Sequence, residues 1–166
     1  MAEEMLEFED DELVFKYLTF RVSKKVYAVD VSVVAEISQR CELLPIPEFP
    51  DYIMGLAQIK GENVPVINPH ARFQDKDPNP DDEQKCIIVV ENEAEDNFIG
   101  IMVDKIGELV EINPDYIAPP PKVSAKAYTR YLTGSFNLNG SVVFILNLPL
   151  MINDDDAAAV NATTKK

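Results

Sequence analysis

The chain has 166 residues, 46% of them apolar, and a formal net charge of −14 at neutral pH. That length suits one ordinary domain or two small lobes sharing a core, and the apolar fraction is enough to fill it. The acidity disfavours nucleic-acid binding, which needs a clustered basic face, and no apolar run approaches the ~20 residues of a membrane-spanning helix.

Residues 1–12 carry seven acids and no base. They read as a disordered acidic tail, with acids where a secretion signal would be positive, which points to a cytoplasmic protein. Leu13 to Val22 is rich in β-formers and predicts a strand. Ser23-Lys24-Lys25 is a polar turn, and Val26 to Val29 is the returning strand. Asp30 is placed to cap a short helix with Val31, Val34 and Ala35 on one side. Pro45, Pro47 and Pro50 make 44–50 an extended connector. Gly55 to Ile59, a turn at Lys60-Gly61-Glu62-Asn63 and Val64 to Ile67 form a hairpin. Pro65 cannot donate to a sheet ladder, so it is expected at an edge or a bulge. Pro69 to Phe73 predicts a short helix with Pro69 in its first turn.

The stretch 75–96 carries nine acids and two bases, so with 1–12 it accounts for the whole net charge. Its first part, 75–84, reads as a solvated loop. Cys86 to Val90, Phe98 to Val103 and Lys105 to Ile112 predict strands, the last bulged at Gly107. Asn113 to Ile117 predicts a helical turn, Pro119 to Pro121 a rigid connector, Gly134 to Leu146 a hairpin and Leu148 to Ile152 a short helix. Residues 153–166 read as a flexible tail.

Two of these segments are one pattern written twice. Residues 52–68 and 131–147 both fit Tyr-[Ile/Leu]-x-Gly-x-x-x-[Ile/Leu]-x-Gly-x-x-Val-x-[Val/Ile]-[Ile/Leu]-Asn, 79 residues apart. A second correspondence, 72 residues apart, matches Val31, Val34, Glu36 and Ile37 to Val103, Ile106, Glu108 and Leu109. Each half therefore runs hairpin, Val-x-x-[Val/Ile]-x-Glu-[Ile/Leu], Pro-rich connector, Gly-bounded hairpin. The fold class expected is mostly β: two small barrels of about five short strands each, with little helix.

Nothing in the repeated unit is reactive. The single histidine, His70, lacks the companions of a metal site or a catalytic triad and reads as structural. Cys41 and Cys86 stand at no metal-like spacing and suit a reducing compartment. No phosphate loop or calcium loop is present. The expectation is no enzyme, no catalytic residue, no metal and no cofactor.

Taken whole, residues 14–152 resemble the CheW family of bacterial chemotaxis coupling proteins. The resemblance rests on Phe20-Arg21-Val22 through Tyr27-Ala28-Val29 to Val34-Ala35-Glu36-Ile37, on Gly55 to Ile67, on Gly100-Ile101-Met102-Val103-Asp104, and on Leu132-Thr133-Gly134 with Ile145-Leu146-Asn147-Leu148. Two places depart from the family pattern. Gln58-Ile59-Lys60-Gly61 stands where Asn-Leu-Arg-Gly is usual, and Asn68-Pro69-His70 where Asp-Leu-Arg is usual. Lysine keeps the charge of that first arginine without its planar five-donor fork.

The resemblance implies two five-stranded SH3-like barrels on a shared core within 13–152. The first barrel is expected at about 31–84 and the second at about 85–145, completed by the terminal segments. It implies a non-enzymatic adaptor between chemoreceptor tips and the regulatory domain of a CheA-type histidine kinase, cytoplasmic and held at receptor arrays. No nucleic acid and no direct membrane insertion are expected. Val34, Glu36, Ile37, Gly55, Lys60 and Gly61 map to first-barrel coupling positions. Gly100, Val103, Ile106 and Leu109 map to the second barrel's side of an inter-barrel groove that holds a receptor helical hairpin in the family. The alternatives are a CheW-like adaptor of a pilus-motility pathway and a barrel-type module for another protein partner.

Overall fold

The computed structural model describes residues 14–73, 76–77, 80, 82–93, 95–120, 131–152, 156 and 160. Ten strands dominate them: β1 Phe15–Val22, β2 Lys25–Asp30, β3 Val34–Gln39, β4 Ile53–Ile59, β5 Glu62–Ile67, β6 Cys86–Asn92, β7 Asn97–Val103, β8 Lys105–Ile112, β9 Leu132–Leu138 and β10 Ser141–Leu146. The helical elements with described bounds are short: α1, Pro69–Arg72, and three single 3-10 turns at Val31–Val33, Pro114–Tyr116 and Leu148–Met151; Asp156 and Val160 are helical as well. No helix among the described residues is long and apolar enough to cross a membrane.

The strands form two five-stranded sheets of the same order. Sheet A runs β9-β10-β2-β1-β8, and sheet B runs β4-β5-β7-β6-β3. In each, a hairpin pairs in parallel with the next strand (Phe144 opposite Tyr27 in A, Val66 opposite Gly100 in B), and all other neighbours are antiparallel. The mostly β architecture expected from the sequence is therefore present as two five-stranded sheets, for which barrel is an approximate word.

The expected boundary near residue 84 falls between α1 and β6, and sheet pairing runs across it. β6 and β7 join sheet B, where Ile88 stands opposite Ile37 on one side and Ile101 on the other. Sheet B thus spans 34–103, and sheet A takes β1 and β2 together with β8 to β10. The two sequence repeats, β1–β5 and β6–β10, have exchanged their first hairpins.

Alternation explains why β6 and β7 read as unbroken apolar runs. Ile87 and Val89 face a core inside sheet B with Ala57, Val64 and Met102. Ile88 and Val90 face the opposite way, into a core shared with Leu18, Phe20 and Val29 of sheet A. A strand buried on both faces has no polar side to show. Sheet A keeps its own smaller core around Tyr17, Phe136 and Val143.

The correspondence at 72 residues is a shared β-bulge. Leu18 lies opposite Leu109 and Phe20 opposite Ile106, so Thr19 faces both Gly107 and Glu108. In sheet B, Val34 lies opposite Val90 and Glu36 opposite Val89, leaving Ala35 as the extra residue. The bulge expected at Gly107 is present, and a side chain there would begin 2.3 Å from Thr19 Oγ1. That hydroxyl donates to the Glu108 carbonyl (3.0 Å) and accepts from the Glu108 amide (2.8 Å).

Four other details refine the sequence reading. Asp30 caps a turn that ends at Val33, because Val34 is already in the β3 ladder. The closing asparagine of each repeat is a helix cap: Asn68 accepts from the His70 and Ala71 amides, and Asn147 from that of Leu150. Pro65 lies in β5, between β4 and β7, rather than at an edge. It is tolerated because parallel pairing to β7 begins only at Val66, and opposite Leu56 it occupies a position whose amide points away from β4. Finally, Tyr52 Oη donates to Asp156 (2.7 Å) and Val160 is fully buried, so the segment expected as a loose tail is docked at those two points. Residues 1–12 and 121 lie outside the described residues.

Candidate functional site

The tip of the first repeated hairpin is a two-residue turn, Lys60-Gly61, with φ of 51° and 82°. Two successive left-handed residues match the twist of the flanking strands, which is why glycine ends the turn. The second copy repeats the geometry with Asn139-Gly140 at 53° and 86°.

Lys60 follows β4 and Glu36 lies in β3, the two outer strands of sheet B. They nevertheless meet, Lys60 Nζ to Glu36 Oε1 at 2.9 Å, so the sheet curls until its edges approach. The lysine side chain stays 75% exposed and that of Glu36 28%. An ammonium has three donors, and the ion pair takes one, leaving donors directed at solvent. The next residue, Ile37, points to the opposite face of β3 and is 46% exposed, on a strand that is outermost in its sheet among the described residues.

The equivalent corner of sheet A is built differently. Glu108 and Asn139 occupy the matching positions but cannot form an ion pair, and both line an open cleft of about 260 Å3. Leu109, the counterpart of Ile37, is 68% exposed. A further cleft of about 230 Å3 opens where the sheets meet, lined by Tyr17, Val29 and Ile145 of sheet A and Val90 and Glu91 of sheet B. Burial, and secondarily Asp30, pushes the Tyr17 phenol above its ordinary pKa, so it stays protonated.

The ten residues singled out from the sequence divide by this geometry. Val34, Glu36, Ile37, Lys60 and Gly61 gather at one corner of sheet B. Gly55 is buried where β4 slips register against β5. Gly100 and Val103 sit in β7, an interior strand, and both are buried. β7 has neighbouring strands on both sides and core on both faces, so both residues act through packing. Ile106 is half-buried and Leu109 exposed on β8, the outer strand of sheet A.

A second polar cluster was not visible in the sequence. His70 and Lys85 are both buried. The Lys85 ammonium bonds both Asp104 and Asp77 (3.1 Å to the latter). His70 Nε2 lies 3.4 Å from Asp104, its Nδ1 lies 3.3 Å from Ser23 Oγ, and the Ser23 amide donates to Asp104 at 2.7 Å. Burial alone would raise the Asp104 carboxyl, but the Lys85 and Ser23 hydrogen bonds hold it below its ordinary pKa. Burial likewise lowers Lys85, and its bonds to Asp104 and Asp77 more than restore it. Ligand atoms of His70, Asp77 and Asp104 lie within 4.8 Å of one another. The Lys85 ammonium already neutralises the carboxylates there, so the cluster is an internal ion-pair network. It pins the β7–β8 crossover to the β1–β2 turn and to α1. The signal in the sequence was a lysine set directly before an apolar run, masked by the acids around it.

Arg72 makes a related tie. Its guanidinium lies 4.1 Å from the Tyr52 ring centre and 4.7 Å from that of Tyr131, the first tyrosines of the two repeats.

Against known proteins, the family model described as a CheW-like domain matches residues 16–156. The "Chemotaxis protein CheW" of Treponema pallidum (strain Nichols) is 28% identical over 136 residues, 81% of this chain and 79% of that one. The "Chemotaxis protein CheW" of Klebsiella aerogenes is 24% identical over 150 residues, 90% and 89% of the two chains. Among solved structures, the scaffolding protein TtCheW of Thermoanaerobacter tengcongensis superposes with a TM-score of 0.78 at 25% identity, covering 87% of this chain and 96% of that one.

Proposed function

The chain belongs to the CheW-like family, and from that membership we propose a non-enzymatic chemotaxis adaptor that couples chemoreceptor tips to a CheA-type histidine kinase. The relatives named above are chemotaxis proteins, which favours this pathway over pilus motility. The observation that carries the coupling site is the Glu36–Lys60 pair. It joins an outer strand to a hairpin tip and fixes one carboxylate and one ammonium at the surface, and exposed Ile37 follows Glu36 on the other face of the same strand.

A partner helix laid along β3 would bury Ile37 as its apolar anchor and receive the remaining Lys60 donors. The kinase regulatory domain and the receptor tip are the partners, and the adaptor works in the cytoplasm at receptor arrays. Such contacts need only modest affinity: a micromolar interface is worth about 8 kcal/mol, and repeated contacts in an array strengthen one another through effective concentration.

Lys60→Glu tests the site. It sets two carboxylates against each other at the surface, and co-sedimentation with membranes carrying receptor and kinase should be lost while the fold is kept. Co-sedimentation at the wild-type level would remove Lys60 from the interface.

A further inference from the structure

One end of sheet A is basic in a chain that is otherwise acidic. Arg21 near the end of β1, Lys24 in the following turn, Lys25 at the start of β2 and Lys105 at the start of β8 are all exposed. Arg21 and Lys105 stand directly opposite each other across the β1–β8 ladder, an arrangement in which like charges repel. Neither of them, nor Lys24, takes part in an ion pair among the described residues. The adjacent carboxylate, Asp104, is already held by Lys85 and the Ser23 amide.

The 260 Å3 cleft opens beside these charges. Arg21 and Lys105 line it, together with the apolar Val26, Ile106, Leu138 and Val143. Glu108 is the single carboxylate on its wall among the described residues. The equivalent corner of sheet B has another character: the bulge alignment makes Glu91 the counterpart of Arg21 and Val33 that of Lys105. The basic end therefore belongs to one sheet only.

We propose that this end of sheet A is a second docking surface of the adaptor, and that its occupant is an acidic segment of a partner protein. Carboxylates of that segment engage Arg21, Lys24 and Lys105, and a neighbouring apolar side chain enters the cleft. A protein segment fits better than a lipid or nucleic-acid surface for two reasons. The apolar wall asks for a side chain, and the chain's charge of −14 opposes approach to an extended polyanion. The inference rests on the adaptor reading but uses a face separate from Glu36 and Lys60.

The test compares the full chain, R21Q/K105Q and Lys16→Glu, which changes net charge equally on the far part of β1. Binding to membranes carrying receptor and kinase is titrated at low and moderate salt, with anionic phosphatidylglycerol vesicles in parallel. The expected result is about tenfold weaker binding for R21Q/K105Q with a shallower salt dependence, and near wild-type binding for Lys16→Glu. Wild-type affinity in R21Q/K105Q, with the wild-type chain binding normally, overturns the docking surface alone. Equal loss on the bare vesicles overturns it in favour of a lipid surface. Failure of the wild-type chain to bind the receptor–kinase membranes overturns the adaptor reading, and this inference with it.

Discussion

Lys60→Asn separates the coupling role of the hairpin tip from its folding role. Lys60 adopts φ 51°, and the second copy places Asn139 at 53° in the same turn. The left-handed region costs an ordinary L-residue about 1–2 kcal/mol, and asparagine tolerates it better. The substitution should therefore recover roughly 1 kcal/mol of turn strain. Against this stands the loss of the Glu36 ion pair, whose lysine is 75% exposed; exposed pairs are worth about 0.2–1 kcal/mol. The two effects nearly cancel. For a domain of this size, each kcal/mol moves Tm by about 2–4 °C, so thermal melts followed by circular dichroism should agree with wild type within about 4 °C. Co-sedimentation with receptor and kinase should nonetheless fail, because Asn139-like geometry brings no positive charge. A Tm drop beyond about 6 °C would make the ion pair structural. An intact complex would mean that the charge of Lys60 is not what the partner reads.

Gly107→Val should lower stability by roughly 2–4 kcal/mol in urea titration, because its Cβ would start 2.3 Å from Thr19 Oγ1; an unchanged midpoint would mean that the bulge relaxes freely. Asp104→Asn should cost about 3 kcal/mol at neutral pH by leaving buried Lys85 with Asp77 alone. Because folding lowers the Asp104 pKa, its contribution is present above the unfolded carboxyl value near 4 and is lost as pH falls through the folded value. The variant should therefore show a flatter acid limb below about pH 4, and an acid limb identical to wild type would refute the assignment.

Local chemistry was legible where one residue type decides. Gly107 announced its bulge and Lys60-Gly61 and Asn139-Gly140 their turns, whereas the repeated Glu36 and Glu108 showed a correspondence whose bulge only the pairing revealed. The exchange of first hairpins was not legible. β1–β2 and β6–β7 are both apolar hairpins of similar length, and which sheet each joins is settled by contacts far apart in sequence, such as Phe20 with Ile106 and Ile88 with Ile37. Of the candidate site, Glu36, Ile37, Lys60 and Leu109 lie on an outer strand or a hairpin tip. Gly100 and Val103 lie buried in an interior strand, whose apolar pattern in the sequence is the same as that of an accessible edge. Lys85 and the docked Asp156 escaped notice because charged residues beside acidic, turn-rich chain look solvated until a tertiary partner is known.

The hairpin exchange bears directly on how an adaptor can transmit position. Were each repeat its own sheet, the two would meet through a linker and could rotate about it. Here every sheet contains strands of both repeats, and Leu18, Phe20 and Val29 of sheet A share one core with Ile88, Val90 and Ile101 of sheet B. The chain crosses from one sheet to the other at Asp104, where Lys85, His70 and the Ser23 amide converge on its carboxylate. Relative motion of the sheets would have to open that core and break that network together. The Glu36–Lys60 corner and the outer strand carrying Leu109 are therefore held in a fixed mutual geometry. What differs between the corners is surface chemistry: an ion pair in one, a cleft lined by Arg21 and Lys105 in the other. A rigid body with two related but unlike faces can hold two different partners at a set spacing, which is the physical requirement for coupling a receptor to a kinase without chemistry of its own.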